Sequence, residues 1–113
     1  MNARVQEIMR ELPPSVRSIV VDAAHQYGVK IYSIFSPSRR NPVVMARWSA
    51  MYRVKSEIEV ASTIKISEWF DRDHTSVLSG LARYSAITGK PRLTNYDLTR
   101  RVNNPSQIKG VKL

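Results

Sequence analysis

The chain has no cysteine, which removes a disulfide framework, a thiol nucleophile and cysteine-ligated zinc together. No G-x-x-x-x-G-K-[ST] occurs, so the phosphate-cradling loop of a P-loop ATPase is absent from this sequence. No apolar run approaches the roughly 18 residues of a spanning helix, and the N-terminus lacks the apolar core and cleavage site of a secretory signal. A soluble cytoplasmic protein without membrane contact is the expectation. Acidic residues are also scarce: nine Asp and Glu stand against eighteen Lys and Arg, for a net charge of +9. From Ala23 to Ser56 there is no acid at all, while Lys30, Arg39, Arg40, Arg47, Arg53 and Lys55 fall there. Such a balance suits a nucleic acid or another polyanion; the plainer alternative is a solubilising face.

What is present is helical periodicity. At 113 residues the chain is one domain by length. Val16, Ile19, Val20, Ala23, Ala24 and Tyr27 hold one face of a helix over Ser15–Tyr27, stopped by Gly28. Val29, Ile31, Ile34 and Phe35 suggest a short helix over Ile31–Phe35, broken by Ser36-Pro37-Ser38-Arg39-Arg40-Asn41-Pro42. Asn41 and Pro42 are suited to open a long helix reaching about Glu59, with Val44, Trp48, Met51, Tyr52 and Lys55 on one stripe. Trp48, Met51, Phe70, Val77, Leu78 and Leu81 are expected in the core.

From Ala61 to Ile87 two helices are separated by a tight polar turn. Ile64, Ile66, Trp69 and Phe70 cluster on the first, which is too short to stand without packing. Val77, Leu78, Leu81, Tyr84 and Ile87 line the second, whose front end is Asp71-Arg72-Asp73-His74-Thr75-Ser76, with Asp71 or Asp73 as cap and Gly89 as stop. A short helix, a turn and a longer helix with a donor-rich start follow the helix-turn-helix plan, which offers its second helix to the DNA major groove. The same residues as a metal site lack ligands that converge, and no nucleophile with a base or catalytic carboxylate pair is visible, so no enzyme, metal or cofactor is expected. His25 has no second ligand at metal spacing and is assigned no role.

Phe70 to Leu78, F-D-R-D-H-T-S-V-L, resembles the F-G-G-R-D-H-[ST]-T-V-L signature of the C-terminal DNA-binding domain of bacterial chromosomal replication initiators of the DnaA family. The likeness extends from Ile19 to Leu78 through V-K-I-x-x-I-F-S, an arginine loop and A-R-x-x-A-M-Y. It implies an all-α fold, a compact bundle of five or six helices of the DnaA C-terminal and Trp-repressor-like kind, with the helix-turn-helix between roughly Thr63 and Thr88. It implies base contacts from Asp73, His74 and Thr75 in the major groove and from Arg39 in the minor groove. Arg40, Arg47, Lys55, Thr63, Arg72 and Ser76 are expected at phosphates. The sequence departs from the family in three places: Asp71 stands alone where two glycines are usual, Ile64 takes the place of a proline, and Trp48 that of a glutamine.

Three segments are expected: an arm over 1–14 that packs on the domain or on a partner, the DNA-binding domain over 15–90, and a basic extension over 91–113. The extension could carry a short helix from Thr94 or Asn95 to about Val102, then a loose tail that binds phosphate nonspecifically or is disordered. The expected partner is double-stranded DNA, including sites like the initiator's own boxes, read without an ATPase domain by a nucleoid-associated protein. A transcriptional regulator, of bacterial or phage origin, and a replication modulator both fit. The alternative is a basic RNA- or protein-interaction module using the same helices; it lacks the exposed aromatic platforms of common RNA readers. Oligomeric state stays open.

Overall fold

Several helices begin or end at a cap or a stop that the sequence supplies. The computed structural model describes residues 3–96. They form α1 (Ala3–Glu11), α2 (Pro14–Tyr27), α3 (Ile31–Ile34), α4 (Val43–Glu57), α5 (Thr63–Trp69) and α6 (His74–Thr88), with no strand among the described residues. Pro14 sits in the first turn of α2, where a missing amide proton costs no bond, and Gly28 closes the helix at φ 65°. Gly89 closes α6 in the same left-handed way, at φ 75°. Ser62 caps α5 by accepting from the Lys65 amide at 3.0 Å. α4 departs from expectation: its cap position is Pro42 with no side-chain cap, rather than Asn41, and it ends at Glu57.

α4 is the hub, touching α2, α3, α5 and α6. Ala46, Ala50 and Val54 are fully buried, one every turn, as are Ser49 and Met51, and its most extensive helix contact is with α2. α2 contributes Val16, Val20 and Ala23, and Ile34, Ile66, Phe70 and Val77 complete the centre from the other helices. Burying each large side chain contributes roughly 1.5–3 kcal/mol. Phe35 stacks on Phe70 at 5.7 Å between ring centroids, joining the end of α3 to the end of α5.

Two expected core residues lie at its rim. Trp48 is half-buried, on the side of α4 away from the fully buried Ala46, Ala50 and Val54, with its indole turned toward α6. There it meets Gly80, whose missing side chain makes room: a Cβ at Gly80 would lie 2.7 Å from Trp48 Cδ1 and Nε1. Leu78 is half-buried because the inward face of α6 is centred on Val77, Leu81 and Tyr84; Met51, Phe70, Val77 and Leu81 are buried.

α1 packs on the domain. Val5, Ile8 and Leu12 are buried, and Arg17 donates from Nε to the Met9 carbonyl at 3.0 Å and from Nη2 to that of Leu12 at 2.9 Å, satisfying acceptors left open at the end of α1. Beyond Gly89 the chain returns along α4: Tyr52 donates its hydroxyl to the Pro91 carbonyl at 2.6 Å, and Leu93 packs against the core. Thr94 to Tyr96 are not helical. The rest of the helix expected there, and the tail with Arg100, Arg101, Lys109 and Lys112, lie outside the described residues.

Candidate nucleic-acid interface

α5 and α6 are joined by a turn of four residues, Phe70 to Asp73. The Asp71 amide donates to Glu68 O at 3.3 Å and that of Arg72 to Ser67 O at 2.9 Å, which closes α5. Asp71 takes the left-handed conformation at φ 54°, tolerated by a short polar side chain where the related signature has glycine. Its carboxylate pairs with Arg4 of α1 at 3.1 Å, so the added negative charge of the turn meets a cation from the N-terminal helix.

Asp73 is the α6 cap. Its Oδ2 accepts from the Ser76 amide at 3.0 Å and from the Ser76 hydroxyl at 2.8 Å, and these bonds hold the carboxyl below the ordinary aspartate range. The two residues expected to face DNA separately, Asp73 as a base acceptor and Ser76 at phosphate, are thus bonded to each other. His74, Thr75 and Ser76 are exposed on the first turn of α6. His74 Nε2 lies 2.8 Å from Thr63 Oγ1, which gives Thr63 a partner inside the motif.

The Ser36–Pro42 loop lies beside this turn, and Arg47 holds it. Arg47 keeps only 6% of its surface exposed and donates Nε to Ile34 O (2.7 Å), Nη1 to Ser38 O (3.0 Å), and Nη2 to Ser36 O (2.8 Å) and Ser33 O (3.3 Å). All three guanidinium nitrogens donate to main-chain carbonyls, so Arg47 holds the loop from within. Arg72 reaches the same loop from the helix-turn-helix: Nη2 donates to Ser36 O and, at 3.4 Å, to Ile34 O. No carboxylate forms an ion pair with either guanidinium among the described residues. Burial, followed by repulsion from Arg72, lowers Arg47 to about 10, and burial lowers Arg72 against the pull of Asp71. Arg47 stays charged at neutral pH, so the loop rests on positive charge that no ion pair offsets.

Between the loop and α6 runs a groove of about 810 Å³. Arg39 and Pro37 stand on the loop side, and Asp73, Thr75, Ser76, Ser79 and Arg83 on the α6 side. Val44, Trp48 and Met51 of α4, with Arg47, Arg72 and Gly80, complete the lining. Of the expected base-contacting residues, the groove brings Arg39, Asp73 and Thr75 together; His74 lies outside its lining, beside Thr63. The cations of the acid-free stretch divide sharply. Arg53 pairs with Glu57 at 2.9 Å and Asp22 at 3.6 Å, and Lys30 lies over the Tyr32 ring. Arg39 and Arg40 are exposed and Lys55 half-buried, with no side-chain hydrogen bond or ion pair among the described residues.

Arg83 was missed by sequence reasoning. It follows Ser76 and Ser79 along the groove side of α6 and donates Nε to Ser79 Oγ at 3.2 Å. The signal was available in the helical spacing 76, 79, 83, which places a cation two turns behind the polar front end.

Paired helices, a capped second helix and a cationic loop beside it define a helix-turn-helix DNA-binding module. A family model described as "Bacterial dnaA protein helix-turn-helix" matches residues 16–83, more than half of the chain. The chain belongs to this family of bacterial DnaA helix-turn-helix domains. Among curated proteins it is similar to the chromosomal replication initiator protein DnaA of Herminiimonas arsenicoxydans, 33% identical over 85 residues, which are 74% of this chain and 18% of that one. It is similar to DnaA of Spiroplasma citri, 29% identical over 85 residues, 75% and 18% of the two chains. To DnaA of Bdellovibrio bacteriovorus it is 28% identical over 98 residues, 83% and 21%. The chain thus spans about a fifth of the length of these relatives. No solved structure matches it. α1 precedes the matched segment. Among the described residues no helix is long and apolar enough to cross a membrane, and no three acidic or histidine side chains group as metal ligands.

Proposed function

We propose that this chain binds double-stranded DNA in a sequence-specific way, reading the major groove with the start of α6 and the minor groove with the loop. His74 and Thr75 carry the major-groove reading: imidazole can donate or accept by tautomer, and threonine offers a hydroxyl and a methyl for thymine. Asp73 contributes through the carboxylate oxygen not bonded to Ser76. Arg39 enters the minor groove, while Arg40, Lys55, Ser76 and Thr63 meet phosphates, joined by Arg83. The observation that carries this reading is the groove itself, which Arg39 lines together with Thr75 and Ser76. A loop cation and a recognition-helix turn on opposite banks suit one DNA strand lying between a minor and a major groove.

The role follows from what is bound. Curated relatives carry the name chromosomal replication initiator protein. Occupancy of initiator-like boxes would make this chain a modulator of replication, and occupancy of promoter sites a transcriptional regulator. Selection of bound sequences from random duplex DNA tests the reading: a recovered motif of two adjoining segments supports it, and recovery of no motif at physiological salt contradicts it. Whether the motif resembles an initiator box then separates the two roles.

A further inference from the structure

The loop that carries Arg39 has little of its own to fix its shape. Its internal bonds are short-range ones from Ser36 and Ser38: Ser36 Oγ to Ser33 O at 2.6 Å, the Ser38 amide to Ser36 Oγ at 3.3 Å, and the Arg40 amide to Ser38 Oγ at 3.2 Å. Main-chain bonds from the Val44 and Ala46 amides to Arg40 O and Pro42 O, both 2.9 Å, join its far end to α4, and the side-chain bonds that tie its first half to the rest of the fold come from two arginines on different elements. Arg47 on α4 takes the carbonyls of Ser33, Ile34, Ser36 and Ser38. Arg72, which immediately precedes the α6 cap Asp73, takes those of Ile34 and Ser36. Ile34 O and Ser36 O are therefore shared acceptors, bridging the hub helix and the recognition turn three residues ahead of Arg39.

We propose that Arg47 and Arg72 are positioning residues that clamp the Arg39 loop to the start of α6, so that the two groove-reading elements keep a fixed spacing along the DNA. This rests on the two-groove reading proposed above and adds what holds its halves in register. The chemistry favours arginine. A planar guanidinium presents five donors in a rigid fork and bridges several carbonyls at once, whereas a lysine ammonium is a point donor on a flexible stem. A buried Arg47 guanidinium beside a half-buried Arg72, neither in an ion pair with a carboxylate among the described residues, is a costly way to fill space, since apolar residues of similar volume often stabilise as well or better. Their cost makes sense if the loop geometry they impose is what is needed. Because Arg72 sits in the turn itself, any shift of the α6 start is passed to Ser36 and on to Arg39.

The test compares binding profiles of wild type, Arg72→Gln, Arg72→Lys and Arg47→Lys on a randomised duplex library, together with designed sites whose two segments are moved apart by one base pair. Wild type should discriminate against the altered spacing by about tenfold or more, the size of a lost specific contact. In Arg72→Gln and Arg47→Lys that discrimination should fall below about threefold and the Arg39 segment should lose its preference, while the segment read by His74 and Thr75 keeps its own. Arg72→Lys should behave like Arg72→Gln, because charge without the fork does not rebuild the clamp. Amide hydrogen exchange of residues 36–41 gives a readout without DNA, and it should quicken in Arg72→Gln while α6 stays protected. Uniform weakening across all sequences, with a salt slope lowered by about 0.9, makes Arg72 a phosphate contact and overturns the clamp. So does unchanged spacing discrimination with unchanged exchange. A wild type that shows no two-segment preference defeats the underlying reading instead, a result distinct from either.

Discussion

Thr63 Oγ1 lies 2.8 Å from His74 Nε2, so the first residue of α5 and the first of α6 are tied across the helix-turn-helix. The bond orients the imidazole and leaves Nδ1 as the ring nitrogen open to a base. Thr63→Val keeps the shape and removes the hydroxyl, and Thr63→Ser retains it. Thr63→Val should relax preference at the base pair read by His74 by roughly 1 kcal/mol, with Thr63→Ser close to wild type. Competition binding on single-substituted duplexes measures this. Equal weakening on every duplex would leave Thr63 its phosphate contact alone and remove the positioning of His74.

Asp73 makes the stability of α6 depend on pH in a definite direction. Its folded pKa lies below the ordinary value of 3.8 because the Ser76 hydroxyl and amide bond the carboxylate. The unfolded chain therefore binds the proton more readily, and stability rises with pH through this window. The contribution is fully present above the ordinary value and disappears as pH falls through the folded one. Asp73→Ala should lower Tm at pH 7, and the gap to wild type should close in strong acid. Thermal melts by circular dichroism across this range check it; a gap that persists at the lowest pH contradicts a carboxylate cap.

Gly80 is required by the approach of Trp48. Gly80→Ala places a methyl 2.7 Å from two indole atoms, tighter than side-chain contacts allow, so the ring or α6 must move. Overpacking of this kind costs about 1–3 kcal/mol. Urea unfolding should show the loss in Gly80→Ala and most of it recovered in the Gly80→Ala, Trp48→Gln double variant. Equal losses in the single and double variants would place the strain elsewhere.

The cations left without partners are those expected to set the salt dependence. Arg40→Ala and Lys55→Ala should each reduce the slope of log affinity against log salt by about 0.9, without changing sequence preference. Arg53→Ala, whose cation is spent on Glu57 and Asp22, should leave the slope nearly unchanged. Titrations between low and physiological salt decide it.

The helices were legible because their apolar spacing and stops are local signals: Val16 to Tyr27 ending at Gly28, and Val77 to Tyr84 ending at Gly89, need no tertiary information. Part of the candidate surface was legible for the same reason, since His74, Thr75 and Ser76 are neighbours on one exposed turn. Arg47 was not. Its partners are main-chain carbonyls nine to fourteen residues away, and a carbonyl acceptor leaves no mark in a side-chain pattern. Trp48 and Leu78 were misplaced because periodicity identifies a face but not its centre. Which of several apolar residues points inward depends on the neighbouring helix, and Gly80 and the alanines of α4 decided that. Arg4 could not have been assigned to Asp71 from sequence, since 67 positions separate them and only the docking of α1 brings them to 3.1 Å.

The central claim is that the Arg39 loop and the start of α6 present two readers of different chemistry to one DNA site, and binding profiles of Arg39→Ala, His74→Ala and Thr75→Ala on a randomised duplex library test it most directly. The account predicts that His74→Ala and Thr75→Ala flatten preference in one segment, while Arg39→Ala flattens an A/T preference a few base pairs away, each by roughly 1–3 kcal/mol per base pair. Variants that keep the wild-type preference at every position and lose only overall affinity would contradict it.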